Sequence, residues 1–197
     1  MDTNEHKINS SFTYLIILAI LIALGIAGRL LPHPPNFTRM AAIALFSGYI
    51  FVKRYMAILT VVVTMLLTDY FAFGFLSPEW FASKSMWVVY LSLLFPIVFK
   101  SFLQKKLGLL RITGAALTSS MVFFLATNFA VWAFSPMYEK TWSGLVLCYT
   151  MAIPFFQNTV AGDLIWSGVI FGVYYALLSY SNLTVLKQKS SLIYSSS

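Results

Sequence analysis

A succession of long apolar segments limits the possible folds of this chain more than any other feature. The first of these segments, residues 12–31, contains Arg29 as its single charged residue. About 20 such residues form a helix that crosses the hydrocarbon core of a bilayer. Hydrophobic residues make up 59% of the chain and charged residues 10%, whereas soluble domains are about half apolar and about a quarter charged. The sequence therefore predicts an all-α integral membrane protein that forms a single membrane domain.

We predict six transmembrane helices, at about 12–31, 37–52, 55–75, 86–103, 112–134 and 159–181. The second is short, since its residues reach only about 24 Å at 1.5 Å per residue. Residues 1–11 are polar and precede an apolar stretch, as in a signal peptide, but the later apolar segments favour a first helix that is retained. The serine-rich end, residues 185–197, is predicted to be disordered.

Residues 142–158 are apolar enough for a seventh span, but they contain Pro154 and run directly into the next segment. The distribution of lysine and arginine favours six spans. Nine basic residues then face one side and four the other, whereas seven spans divide them seven to six. The side richer in basic residues is cytoplasmic. We therefore predict a multi-pass protein of the cytoplasmic (inner) membrane with both termini in the cytoplasm. Residues 142–158 are then predicted to form a re-entrant or interfacial helix at the outer face.

The loop between the first two spans, residues 29–39, contains three prolines, His33 and two arginines. Proline fixes φ and removes a backbone donor, so this connector is stiff. One interpretation is a lid over an outward-facing pocket. The other is a helix stop and start whose arginines lie at lipid headgroups.

Polar side chains within the predicted spans concentrate toward the outer side. Ionisable groups inside a membrane are costly and by default face a cavity or one another. We therefore predict an outward-facing ligand pocket, although the two aspartates could instead pair with Arg29 or Arg39 and fasten helix ends. The candidate ligand residues are Arg29, His33, Asn36, Asp69, Asn128, Asn158 and Asp163.

Signatures of enzymes are absent from this sequence: it has no HExxH, GxSxG or P-loop motif. No metal-ligand spacing is present, and no cofactor is expected. The basic residues lie in short loops between spans, so they do not indicate nucleic-acid binding. The single cysteine, Cys148, excludes an intramolecular disulfide. With six spans it falls on the outer side, and we expect an impermeant thiol reagent added outside intact cells to reach it or its near neighbours.

Three stretches carry a resemblance to a known group of proteins: RLLPHPPNFTRMAAIALFSG, LLTDYFAFGF and AIPFFQNTVAGDL. They resemble an uncharacterised bacterial family of small membrane proteins marked by an R-x-L-P-H-P-P-N-F-T-P loop. This sequence has Arg39 where that pattern ends in proline. The family looks related to the substrate-capture (S) subunits of energy-coupling factor transporters.

This resemblance implies a subunit that binds a vitamin-like micronutrient from outside, with the loop closing over it. A membrane coupling subunit and ATPases, all separate chains, would then drive release. In S subunits an A-x-x-x-A face of the first helix docks the coupling subunit, and Ala19, Ala23 and Ala27 match it. Small residues at that spacing could equally pack against the protein's own helices. The alternative function is a non-transporting membrane scaffold whose outer loop binds a partner protein.

Overall fold

The computed structural model describes residues 3–37, 39–73 and 83–195, with side chains described for 12–37, 39–71 and 83–180. All regular elements in these ranges are helical. The helices are α1 (Thr3–Leu30), α2 (Met40–Ile50), α3 (Arg54–Phe73), α4 (Lys84–Leu94), a 3₁₀ helix (Phe95–Phe99), α5 (Lys100–Lys105), α6 (Leu109–Phe134) and α7 (Trp142–Ser195).

Five helical stretches are long and apolar enough to cross a membrane: Phe12–Leu30, Arg54–Phe71, Lys84–Lys105, Leu109–Phe134 and Trp142–Tyr180. By the length and composition of these helices, the prediction of an all-α, multi-pass membrane protein is confirmed. The count of six spans is not confirmed, because the predicted second span, 37–52, contains only the 11-residue helix Met40–Ile50. At 1.5 Å per residue α2 is about 16 Å long, roughly half the hydrocarbon core.

The short helix α2 lies at the centre of the protein. It contacts every other described helix, and its residues from Met40 to Gly48 are all buried. Gly48 lets α2 approach the 3₁₀ helix closely, since a Cβ built there would lie 3.2 Å from Cα of Ile97. The surrounding protein thus replaces the lipid that a full-length span would face.

Side-chain hydrogen bonds identify one end of the bundle, where α2 ends. Lys100 Nζ donates to the carbonyls of Phe51 and Val52, where α2 passes into α3. Gln104 Nε2 donates to the carbonyl of Tyr49, 2.8 Å away. We call this the lysine end. The opposite end, with the connector 31–39, is called the loop end.

Residues 142–158 do not form a separate helix, contrary to our prediction. Trp142–Ser195 is one helix of 54 residues that continues through Pro154. A proline inside a helix removes a single backbone hydrogen bond, and here the turns on either side maintain the helix. The apolar part, Trp142–Tyr180, has 39 residues and reaches about 58 Å, about twice the hydrocarbon core. The predicted disordered tail, 185–197, is also helical as far as Ser195, and 196–197 lie outside the described residues.

Helices α6 and α7 form an antiparallel hairpin, and hydrogen bonds from two neighbouring residues of α7 connect the two helices. Cys148 Sγ donates to the carbonyl of Asn128 at 3.4 Å, and Tyr149 Oη donates to the carbonyl of Leu125 at 2.7 Å. Cys148 is consequently only 2% exposed. Our expectation that a thiol reagent would reach Cys148 is therefore wrong, since the sulfur is enclosed between two helices.

The inward face of α1 carries glycines, and its alanines lie elsewhere. Leu21, Gly25 and Gly28 are buried, whereas Ala19 and Ala23 are exposed and Ala27 is half-buried. A Cβ built on Gly25 would lie 2.5 Å from Thr64 Cγ2 of α3. The predicted small-residue face therefore does not pack into this chain's core.

Replacing Gly25 by alanine should weaken the contact between α1 and α3. Thr64 cannot rotate freely, because it is β-branched and its hydroxyl donates to the Thr60 carbonyl at 2.7 Å. We expect Gly25→Ala to lower stability by about 1–3 kcal/mol, measured as thermal unfolding in detergent. The matched control is Gly114→Ala, where a Cβ meets nothing within 4 Å and stability should hold or rise by up to about 1 kcal/mol. Equal losses in both variants would contradict this packing.

Candidate functional site

Arg29 and Asp69 form an ion pair near the loop end, between α1 and α3. Arg29 Nη2 lies 2.8 Å from Asp69 Oδ1, and the carboxylate is completely buried while the arginine side chain is 25% exposed. Oδ1 accepts no hydrogen bond, so its contact with Arg29 is an ion pair alone. Tyr90 Oη of α4 donates to Asp69 Oδ2 at 2.8 Å. Three helices are therefore joined through one carboxylate.

A ladder of hydroxyl groups on α3 supports this ion pair. Thr60, Thr64 and Thr68 are spaced four residues apart, and each donates to a carbonyl one turn earlier. Side chains four residues apart share one helix face. Thr68 Oγ1 also accepts a hydrogen bond of 2.6 Å from Arg29 Nη1. Arg29 and Asp69 thus compensate each other's charge, and each also forms a hydrogen bond with a neighbouring hydroxyl group. This arrangement corresponds to the alternative prediction, in which an aspartate pairs with an arginine and fastens helix ends.

One described side-chain hydrogen bond attaches the connector 31–39 to α7. Asn158 Nδ2 donates to the carbonyl of Pro35 at 3.0 Å. The next residue, Asn36, has a φ of 62°, in the left-handed region that asparagine and glycine adopt most readily. His33 is exposed and contacts the carbonyl of Pro34 through Nδ1. Asn36 and Asn158 therefore shape the loop, and His33 lies outside the cleft described next.

A cleft of about 240 Å³ opens at the loop end between α4, α6 and α7. Its walls are mainly apolar and aromatic, including Phe123, Phe124 and Phe156. Asn36 and Asn128 supply amide groups. Asn128 Nδ2 donates to the carbonyl of Phe124 in its own helix at 2.7 Å. Mostly apolar walls with a few placed polar groups are typical of small-molecule sites.

A second, smaller cavity of about 30 Å³ lies beside this cleft and shares Asn36, Phe123 and Thr159 with it. It is lined by Asp163 and by two serines, Ser92 and Ser119. This volume is sufficient for a water molecule. The cleft and the smaller cavity together form the candidate site.

Asp163 is the buried acid of the candidate site. It is 2% exposed, and its Oδ2 accepts a hydrogen bond of 2.6 Å from Ser120 of α6. Within the described part of the chain, the carboxylate has no lysine, arginine or histidine partner. A buried charge without a partner is costly, so this carboxylate favours a cation or a hydrogen-bond donor from the cavity.

The structure thus divides the predicted ligand residues into separate groups. Asn36, Asn128 and Asp163 line the candidate site. Asn158 holds the loop. Arg29 and Asp69 belong to the ion pair, because the end of α1 lies directly against α3.

Sequence reasoning missed the hydroxyl groups at the site. Ser92, Ser119, Ser120 and Thr159 are all buried. Their signal in the sequence was weak, since serine and threonine are tolerated in apolar helices by donating to a carbonyl one turn earlier, as Ser119 and Ser120 do. Among the described residues, no three His, Cys, Asp or Glu side chains are grouped to hold a metal ion.

Comparison with known proteins identifies the family to which the chain belongs. The model of a family described as "Family of unknown function (DUF6580)" matches residues 8–186. No curated protein matches the chain, and no solved structure does. The relation to S subunits therefore stays a prediction.

Replacing Arg29 by methionine should destabilise the protein without any ligand present. Asp69 would keep the Tyr90 hydroxyl but lose its counter-charge, and breaking a buried pair costs about 3 kcal/mol or more. We expect a clear fall in the unfolding temperature in detergent. The double variant Arg29→Met/Asp69→Leu should recover much of the loss, because no buried charge remains. Arg54→Met, at an exposed arginine, is the control. An unchanged unfolding temperature for Arg29→Met would contradict the fastening role.

Proposed function

Because the chain belongs to DUF6580, a family whose description names no activity, we propose its function from geometry: it captures a small molecule from the outer face as the substrate-binding subunit of an uptake system. The observation that carries this proposal is Asp163, a buried carboxylate without a cationic partner among the described residues, lining a cavity beside an open cleft. A membrane protein keeps such a group where it contacts a substrate or an ion pathway.

The lining of the site suggests the chemistry of its ligand. Aromatic rings on α6 and α7 favour a flat or apolar body, and the amides of Asn36 and Asn128 offer donors and acceptors. The Asp163 carboxylate favours an amine or another donor group. A volume of about 240 Å³ is slightly below the usual range of drug-sized pockets, about 300–1,000 Å³. We therefore propose a compact, vitamin-like molecule with an amino group or a donor-bearing heterocycle.

The exposed alanines of α1 support a role for a partner in transport. Ala19 and Ala23 face away from the core, and small residues at four-residue spacing let another helix approach closely. By resemblance to S subunits, the partner would be a membrane coupling subunit with separate ATPases. The alternative is a membrane scaffold, and the exposure of residues 31–36 favours a partner-binding loop in that case.

The proposed orientation rests on the charges at the two ends of the bundle. Lys53, Arg54, Lys100, Lys105, Lys106 and Arg111 all lie at or near the lysine end. The positive-inside rule places this end in the cytoplasm. The cleft, at the loop end, then opens to the outside.

Orientation can be tested with two matched serine-to-cysteine variants in a Cys148→Ser background. Ser143 is exposed in the first turn of α7, next to the α6–α7 connection, and Ser101 is exposed at the lysine end. We expect an impermeant maleimide added to intact cells to label Ser143→Cys and to leave Ser101→Cys unlabelled until the membrane is permeabilised. The reverse pattern would contradict an outward-facing cleft.

Capture can be tested by mass spectrometry of small molecules that co-purify with the protein in mild detergent. We expect a compound in the wild type that is reduced at least tenfold, about 1.4 kcal/mol of affinity, in Asp163→Asn. Asn36→Gly should also reduce it, because glycine retains the left-handed backbone while removing the amide. Glu139→Gln is the matched acid-to-amide control, since Glu139 is exposed and lines neither cavity of the site.

Both site variants must keep the wild-type unfolding temperature measured without ligand. A compound retained equally by Asp163→Asn and the wild type would contradict the proposed site. A wild type that carries no compound but retains a protein partner through loop 31–39 would favour the scaffold.

A further inference from the structure

A second concave surface runs along the outside of the bundle, between α1 and α7. It has a volume of about 300 Å³ and is lined by apolar or aromatic side chains from Ile17 to Leu24 on α1 and from Trp166 to Leu177 on α7, with Phe46 of α2 between them. We call it the α1–α7 groove. Its lining differs entirely from that of the candidate site.

Arg39 lies at the loop end of the α1–α7 groove, next to each helix that forms it. It directly precedes α2, two turns before Phe46. Its guanidinium carbon lies 4.1 Å from the centroid of the Trp166 ring. A Cβ built on Gly28, one turn beyond Leu24, would lie 2.6 Å from Arg39 Nη1. The cation therefore lies across the top of the groove, between α1 and α7.

Arg39 has no anionic partner within the described part of the chain. Its Nε is buried without a hydrogen bond, as is Nε1 of Trp166 beneath it. The nearby acids are engaged elsewhere, since Asp69 pairs with Arg29 and Asp163 accepts from Ser120. Stacking on an aromatic ring orients a guanidinium but leaves its charge uncompensated. A cation at one end of an apolar groove complements a molecule with an anionic head and a hydrocarbon chain.

We propose that the α1–α7 groove binds an anionic phospholipid of the surrounding membrane. The acyl chain lies along the groove toward Leu177, and the phosphate accepts hydrogen bonds from the Arg39 guanidinium. Guanidinium and phosphate form bidentate, charge-assisted hydrogen bonds. Charge complementarity distinguishes this occupant from a helix of a second copy, which would cover the apolar walls and leave Arg39 uncompensated.

The test reconstitutes the full chain into vesicles of equimolar phosphatidylcholine and phosphatidylglycerol, extracts it gently and measures the retained lipids by native mass spectrometry. A basic residue near a membrane surface contributes enough attraction for about a fivefold preference for anionic lipid. We expect the wild type to retain phosphatidylglycerol over phosphatidylcholine by about this factor. Arg39→Gln should lose the preference. Lys105→Gln, the same change at an exposed lysine at the other end, should keep it.

A second variant tests the groove independently of the charge. Ile20 is 59% exposed and lines the groove, so Ile20→Trp should fill it without disturbing the core. We expect this variant to retain less of both lipids while keeping the wild-type unfolding temperature. A preference for phosphatidylglycerol that persists in both Arg39→Gln and Ile20→Trp would overturn the proposal. A photo-crosslinking residue at Ile20 that joins two copies of the chain, in place of lipid, would also overturn it.

Discussion

The length of α2 is the constraint on which the rest of this structure depends. Eleven residues, about 16 Å, cannot cross a hydrocarbon core of about 30 Å. Backbone polar groups at the ends of such a helix must be satisfied by protein, because lipid offers no partners. At the lysine end Lys100 and Gln104 donate to the carbonyls of Tyr49, Phe51 and Val52. At the loop end the chain continues into the connector 31–39, which lies against α7.

The two buried aspartates show how the same side chain acquires different roles within one end of a bundle. Asp69 faces α1 and α4, where Arg29 and Tyr90 compensate it, so its effect is to hold three helices together. Asp163 faces α6, where a single serine hydroxyl donates to it, and it borders a cavity. The charge of the first is compensated by an arginine of the same chain. The second has no cationic partner among the described residues, and the proposed ligand site depends on that difference.

The sequence predicted helical spans that correspond to α1, α3 and α6, because apolar length is a local property. It also indicated that polar side chains gather at one end. It could not predict the length of α2, since Phe37 and Phe51 are as apolar as the helix between them. It could not tell which aspartate pairs with an arginine either, because Arg29 and Arg39 were equally plausible partners. Only the packing of the helices places Arg29 beside Asp69 and Arg39 over Trp166. Continuity through Pro154 likewise depends on packing against α6, to which Tyr149 is bonded.

The two arginines at the ends of the connector also limit how the connector can move as a lid. Arg29 is held by Asp69 and Thr68, and Arg39 is stacked on Trp166, so both ends of the connector are fastened to helices. Between them, prolines keep the backbone stiff, and the described side-chain attachment is one hydrogen bond from Asn158 to Pro35. A neutral hydrogen bond contributes about 0.5–1.5 kcal/mol to stability. Breaking a buried ion pair costs considerably more. Within the proposed function, the stretch between the two anchors therefore moves as a unit and carries Asn36 away from the cleft, while Arg29 and Arg39 stay in place.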